Sequence, residues 1–255
     1  MPPLVQIVHE DDALLVLHKP AGLVCHPTKG DAYSSLVSRV RLHLGTGTEP
    51  QMVHRLDRET SGLIVFGKTS DAAAELRRLW SAGLVTKQYL ALVHGHPAAD
   101  EGTIDAPLGP DLTSAIALKD AVRSDGAAAR TRFRVLTRFQ RPEGPFALLA
   151  LWLDTGRKHQ IRIHLAHLGH PIIGDKLYGG DESLYLEFVH RRLTDEQKGR
   201  LLLPCQALHA GRLWFPWEGV ERGFEATPEP WFTAFMRGES VPWLVDLYDP
   251  QIPGG

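Results

Sequence analysis

Apolar runs frame this chain. Leu4-Val5-Gln6-Ile7-Val8 and Ala13-Leu14-Leu15-Val16-Leu17 read as two strands around a Glu10-Asp11-Asp12 turn. His18-Lys19-Pro20-Ala21-Gly22 ends the second, because proline removes a ladder donor and glycine permits a tight bend. Leu36, Val37, Val40 and Leu44 fall at helical spacing within Tyr33 to Leu44, with basic residues opposite. Leu63-Ile64-Val65-Phe66, closed by Gly67, predicts a buried strand. Ser70 is the expected N-cap of a helix from Asp71 to Ala82, with Leu76, Leu79 and Trp80 on its buried side. Gly83 supplies that helix's left-handed exit.

Gln88 to Val93 is the next expected strand, and the mixed stretch Asp100 to Asp125 holds a short β candidate at Thr103-Ile104-Asp105. From Arg130 to Phe139 the pattern alternates: Thr131, Phe133, Val135, Thr137 and Phe139 on one face, and Arg130, Arg132, Arg134 and Arg138 on the other. Phe146 to Leu153 is near-continuously apolar, as in a central strand. His159 to Leu168 carries Ile161, Leu165 and Leu168 at i, i+4, i+7, with Gly169-His170-Pro171 as its exit. Thr194-Asp195-Glu196-Gln197 resembles a capping box, Ala207 to Phe215 gives a last strand, and the tail is expected to wrap the outside. Without regular βαβ alternation, this order predicts an α+β fold: a mixed, largely antiparallel sheet flanked by helices and loops. No linker or internal repeat divides the 255 residues, so one domain is expected, with a core over 4–217 and a tail over 218–255.

The bulk numbers are ordinary. A hydrophobic share of 43% fits a globular chain, and the net charge of −2 points to no polyanionic partner. The distribution says more. Five arginines and no acid lie between Arg130 and Arg141, whereas Glu218 to Asp249 holds seven acids and two arginines. A basic face backed by an acidic one is a footprint of nucleic-acid binding, although charged strand edges also serve solubility. Two distant cysteines, Cys25 and Cys205, exclude a Cys-rich zinc site and fit a reducing compartment. The N-terminus lacks a signal-peptide pattern and no run approaches 18 apolar residues, so a cytoplasmic protein without a membrane partner is expected.

Two stretches carry candidate chemistry. The first is His54-Arg55-Leu56-Asp57-Arg58-Glu59-Thr60-Ser61-Gly62, which puts Asp57 on a loop held by the strand that follows. His54, Arg55 and Arg58 crowd the carboxylate, favouring its ionised form and suiting a nearby polyanion. A turn whose Asp caps its own backbone explains the nine residues equally well. The second stretch runs from Asp154 to His167. Its Gly156 turn and helix start bring Arg157, Lys158 and His159 together at a place suited to an anion. Arg162 lies off the apolar stripe, where it could orient a carboxylate such as Asp57 or serve a plain structural ion pair. His164, His167 and His170, with Asp175, suggest a metal-dependent hydrolase, but His170 falls beyond the helix exit and a closed zinc site needs four aligned ligands. Serine-hydrolase and phosphate-loop templates fail, and Tyr89 alone reads as a buried structural tyrosine.

Together these segments resemble the RluA family of RNA pseudouridine synthases. The likeness rests on His54-Arg55-Leu56-Asp57 with Thr60-Ser61-Gly62, on Lys87 to Val93, and on Gly156 to Pro171. Lys19-Pro20-Ala21-Gly22, Gly174-Asp175 with Leu177-Tyr178-Gly179, and Leu208-His209-Ala210 add to it, in the family's order over roughly residues 4 to 217. The departures are His18 for Asn, Lys158 for Thr and Arg58-Glu59 for Lys-Asp. The optional N-terminal S4 RNA-binding domain is not expected, since strand-like sequence begins at Leu4.

The resemblance implies the pseudouridine synthase fold and isomerisation of uridine to pseudouridine in structured ribosomal or transfer RNA. Asp57 becomes the essential carboxylate, Tyr89 the aromatic stacked on the target base, and Arg162 the basic partner of Asp57. His54, Arg55, Leu56, Thr60, Arg157, Lys158 and His159 would lie near the substrate RNA. No metal or nucleotide cofactor is implied, and the chain would act as a monomer. The rival readings are an RNA-binding protein without catalysis on the same scaffold and the histidine-metal hydrolase.

Overall fold

The computed structural model describes residues 5–27, 35–47 and 49–243. Leu4, Tyr33 and the end of the tail, where parts of the expectations above fall, lie outside the described residues. Two compact units emerge: one runs up to Lys87 and takes in His209–Glu229, the other comprises Gln88–Leu208 and Pro230–Trp243. The sequence marked no such division; at Lys87/Gln88 and Leu208/His209 the chain passes between units inside the strands Thr86–His94 and Leu208–Trp217, with no Pro/Gly-rich linker there.

The first unit opens with β1 (Gln6–Glu10) antiparallel to β2 (Leu14–Lys19), turned by Asp11, whose Oδ1 accepts from the Ala13 and Leu14 amides. α1 (Leu36–Leu44) and the short β3 (Gln51–Met52) lead to β4 (Ser61–Gly67), buried along its whole length. β4 pairs antiparallel with β2 and β3, and α2 (Ser70–Ser81) follows. Alternate residues of β2 and β4 feed two cores. Leu14, Val16, Leu63 and Val65 pack with Ala72, Leu76 and Leu79 of α2, while Leu15, Leu17, Ile64 and Phe66 pack with Leu36, Val37 and Val40 of α1. A helix on each face explains why both strands read as unbroken apolar runs. Each fully buried Leu, Val or Phe contributes about 1.5–3 kcal/mol, which makes β4 a stiff support for the loop before it.

One expected cap moves. Thr69, not Ser70, caps α2, accepting from the Ala72 amide. Both residue types can cap, and the shift by one position places Ala72 and Ala73 against the core. Gly83 exits left-handed at φ 69°, as expected.

In the second unit, β5 (Thr86–His94) is followed by β6 (Glu101–Asp105) and the antiparallel hairpin β7 (Leu108–Pro110) and β8 (Asp120–Val122), which the mixed composition hid. β9 (Arg130–Arg141) and β10 (Gly144–Leu153) form a long antiparallel pair, with β5 on the far side of β10 and β6 on the far side of β9. This places apolar β10 centrally. α3 (Gln160–His167), α4 (Ser183–Val189) and α5 (Asp195–Leu201) follow, the last opened by the expected Thr194–Gln197 capping box. Leu168, expected on the buried stripe of α3, is instead 38% exposed, because the helix ends one residue before it.

β11 (Leu208–Trp217) returns to the first unit, runs parallel to β4 at His209–Ser61, and pairs antiparallel with β12 (Val220–Glu225). α6 (Pro230–Met236) corrects the expectation of a tail wrapped on the outside. Phe232 and Phe235 are buried, and the Arg141 guanidinium lies 4.1 Å from the Phe235 ring centre and donates to its carbonyl. The architecture is the expected α+β one, with mixed but mostly antiparallel strands and flanking helices.

Candidate functional site

Asp57 sits in the loop between β3 and β4, and the backbone on either side of it is fastened at three successive carbonyls. The Leu56 carbonyl accepts from the Cys25 thiol, the Asp57 carbonyl from the Thr60 amide, and the Arg58 carbonyl from both the Gly22 amide and Lys19 Nζ. Lys19 is fully buried. Its ammonium donates to the carbonyls of Pro20, Leu23 and Arg58 at 2.9–3.0 Å, so its three protons meet three acceptors. Arg58 returns the contact, its Nε donating to the Gly22 carbonyl at 3.0 Å. Such a loop presents its carboxylate from a fixed backbone. In the sequence Lys19 stood at a strand end and in the family-like Lys19-Pro20-Ala21-Gly22 run, with no sign of this clamp; its signal was a lysine closing an apolar run just before Pro-Ala-Gly.

The residues around Asp57 divide. Arg55 is exposed, whereas Leu56 and Thr60 are buried. His54 takes a different part from the substrate-facing, chargeable one expected of it. Its Nε2 accepts from the Val65 amide at 3.1 Å, and its ring stacks on Trp80 with centres 4.8 Å apart. Burial, helped by the nearby Lys87 charge, pushes its pKa down to about 3, so it is a neutral acceptor holding the loop to β4.

A second histidine braces the same strand. His209 is buried and donates through Nε2 to the Ala226 carbonyl at 2.8 Å, so Nδ1 accepts from the Ser61 hydroxyl at 2.9 Å. Burial brings its pKa down to about 4. These depressed values fix a pH dependence. Both rings are neutral in the folded state but take up protons below about pH 6.5 once unfolded. Their contribution is therefore complete above pH 6.5 and lost progressively as the pH falls towards 4. The loss is on the order of 3 kcal/mol for His209 alone by the usual conversion of pKa difference to free energy. Thermal unfolding between pH 7.5 and 4.5 is expected to show this fall, reduced by roughly half in His209→Gln, which leaves the His54 share; an unchanged slope in that variant contradicts it.

In the second unit, Tyr89 is buried on β5 opposite Leu151 of β10. Arg162, on α3, is also buried. It forms a two-pronged pair with Asp175, Nε to Oδ2 at 2.7 Å and Nη2 to Oδ1 at 2.9 Å. Burial alone would raise the Asp175 pKa, but the Arg162 charge and hydrogen bonds, with the Tyr178 and Leu177 amides, outweigh it and hold the carboxyl below its usual range. Removing one member of a buried pair costs about 3–5 kcal/mol. In the sequence Asp175 stood as a possible metal ligand and within the family-like Gly174-Asp175 pair; spacing along the chain could not show that it meets Arg162.

At the start of α3, where an anion site is expected, the basic side chains also have local partners. Gln160, buried, accepts from the Thr155 hydroxyl and the Arg157 amide, and donates to the Arg130 carbonyl and the Thr131 hydroxyl. Arg157 Nε donates to the Ala128 carbonyl, Lys158 meets the Asp120 carboxylate at 3.0 Å, and His159, left-handed at φ 56°, bonds the Tyr178 hydroxyl through Nδ1. The basic face of β9 is likewise matched. Arg132 pairs with Asp154, Arg134 with Glu101 across to β6, and Arg138 with Asp100. The sequence count along one strand could not see acids arriving from its neighbours.

The histidines of the metal reading also find other partners. His164 is buried between the Thr131 hydroxyl and the Ala106 carbonyl, and His170 Nδ1 donates to the His94 carbonyl. No group of three metal-ligating side chains occurs among the described residues. No helix among them is long and apolar enough to cross a membrane.

Residues 13–167 match the family described as RNA pseudouridylate synthase. The chain is 36% identical over 233 residues to the ribosomal large subunit pseudouridine synthase D of Zymomonas mobilis, covering 87% of this chain and 68% of that protein. Over 181 residues it is 44% identical to an uncharacterized RNA pseudouridine synthase of Chloroflexus aurantiacus, covering 68% of this chain and 55% of the relative. Among solved structures, human RNA pseudouridylate synthase domain containing 4 superposes with a TM-score of 0.71 at 26% identity, over 91% of this chain and 92% of that one.

Proposed function

Because the chain belongs to the RNA pseudouridylate synthase family, we propose that Asp57 is the carboxylate on which its isomerisation of uridine to pseudouridine in RNA depends. The observation that carries this is the Asp57 loop, fastened at the Leu56, Asp57 and Arg58 carbonyls in front of a fully buried strand. The reaction breaks the C1′–N1 bond of uridine, turns the base and joins it through C5, with no net redox change. One positioned carboxylate serves it, as a nucleophile or as a base at the sugar. A held backbone keeps that carboxylate in reach of a nucleotide drawn out of its stack.

The other assignments follow the family likeness. Tyr89 stacks on the target uracil, Arg162 is the basic partner of Asp57, and Arg55 lies near the extruded nucleotide. Leu56 and Thr60 shape the loop, and Arg157, Lys158 and His159 border the RNA. The chain is read as one catalytic domain, working as a monomer in the cytoplasm without a metal or nucleotide cofactor. The substrate is structured RNA, ribosomal or transfer. Large-subunit ribosomal RNA comes first for testing, because relatives carry that substrate in their names.

Release of tritium from C5-labelled uridine in such RNA tests the reading. Release by the purified chain supports it, and binding without release favours the RNA-binding rival. Tyr89→Phe is expected to keep RNA affinity within about threefold, since the ring remains, while slowing a late step if the hydroxyl assists proton loss from C5. Single-turnover kinetics indistinguishable from wild type would remove that part for the hydroxyl.

A further inference from the structure

We propose that Asp175, together with the ring of Tyr178, is the positioning residue that sets the guanidinium of Arg162, so that Arg162 acts from one fixed orientation. This rests on the place given to Arg162 above. A guanidinium is planar, and the Asp175 fork takes one whole edge of it, Nε and Nη2. The Tyr178 ring lies against its face, 5.0 Å from the central carbon to the ring centre. An edge and a face together determine where the remaining edge points.

The fork is itself held. Asp175 Oδ1 accepts from the Leu177 amide at 2.9 Å and the Tyr178 amide at 3.0 Å, so the turn that carries the carboxylate is tied to it. Gly174 stands left-handed at φ 78°, where a Cβ would collide with the Cys205 carbonyl, and a Cβ on Gly179 would collide with the Asp175 carbonyl. The Tyr178 hydroxyl accepts from the Asp120 amide and bonds His159, fixing the ring from its far end. The segment Gly174-Asp175-Lys176-Leu177-Tyr178-Gly179 is thus built around one arginine of α3.

Asp175→Asn separates positioning from support of the turn. The amide oxygen in place of Oδ1 can still accept from the Leu177 and Tyr178 amides and from Arg162 Nη2, but the NH2 in place of Oδ2 faces Arg162 Nε, cannot accept from it, and so breaks the two-pronged fork. The tritium-release assay is run on wild type, D175N, R162K, R162M and the D175N/R162K pair, with RNA affinity measured separately. D175N is expected to lower kcat about 10- to 100-fold with KM and RNA affinity within about threefold, as misplacement of a reacting group does. Adding D175N to R162K is expected to lower kcat by less than about twofold more, since both changes act through one group.

A D175N kcat within about twofold of wild type, or a full independent loss in the R162K background, overturns the proposal. A purely structural pair would lower the folded fraction and leave kcat per folded molecule unchanged. R162M tells the two readings apart: full activity there defeats the assignment of Arg162 and the proposal with it, whereas inactive R162M beside fully active D175N defeats positioning alone. Should D175N not fold, Y178L decides. It keeps the fork and removes the ring, a loss of about 3- to 10-fold in kcat is expected, and an unchanged kcat overturns the proposal.

Discussion

Asp57→Asn is expected to lower turnover by at least about 1,000-fold while leaving stability within about 1 kcal/mol and RNA affinity within about threefold. The amide keeps the size of the carboxylate but serves neither as nucleophile nor as base. The backbone on either side fastens the loop: Leu56 to Cys25, Asp57 to Thr60, and Arg58 to Lys19 and Gly22. Single-turnover assays with RNA in hand and enzyme in excess separate the chemical step from binding, and thermal unfolding checks the fold. Appreciable turnover by the Asn variant would defeat the assignment. A variant that unfolds would contradict the account of how the loop is held.

Gly62→Ala carries the largest expected effect on stability. Gly62 has φ +115°, a conformation that costs an L-residue about 1–3 kcal/mol. Its ideal Cβ would also overlap the backbone of Ala210, its register partner where β4 and β11 run parallel. On the other side, β2 pairs through Lys19, so the strand cannot shift away without disturbing a second ladder and the lysine that clamps the Asp57 loop. A loss of at least about 3 kcal/mol is expected, seen as a melting temperature lower by roughly 6–12 °C for a chain of this length. Activity should fall with it, because β4 begins four residues after Asp57. A melting temperature within about 2 °C of wild type would contradict this packing.

The strands were legible where both faces are buried or where one face alternates. The runs at Leu14–Leu17 and Leu63–Phe66, and the Thr131, Phe133, Val135 series, leave little choice of period. α6 was hidden because a tail rich in proline and acids carries its two buried phenylalanines without an extended pattern. The Asp57 loop could be found as a motif, and the family likeness of its neighbours fixed attention on it. What chain order could not show is which charges neutralise each other. Asp175 on Arg162, Asp120 on Lys158 and Glu101 on Arg134 join residues 13, 38 and 33 positions apart. For the same reason His54 read as a possible cation, when desolvation makes it a neutral acceptor. Burial, not residue type, decides that charge.

The central claim is that this chain makes pseudouridine in RNA through Asp57. The most direct test is a pseudouridine map of total RNA, by chemical labelling and primer extension, from cells with and without the gene. The expected result is one or more positions missing without the gene, restored by the wild-type chain and not by Asp57→Asn. Restoration by the Asn variant would contradict the account.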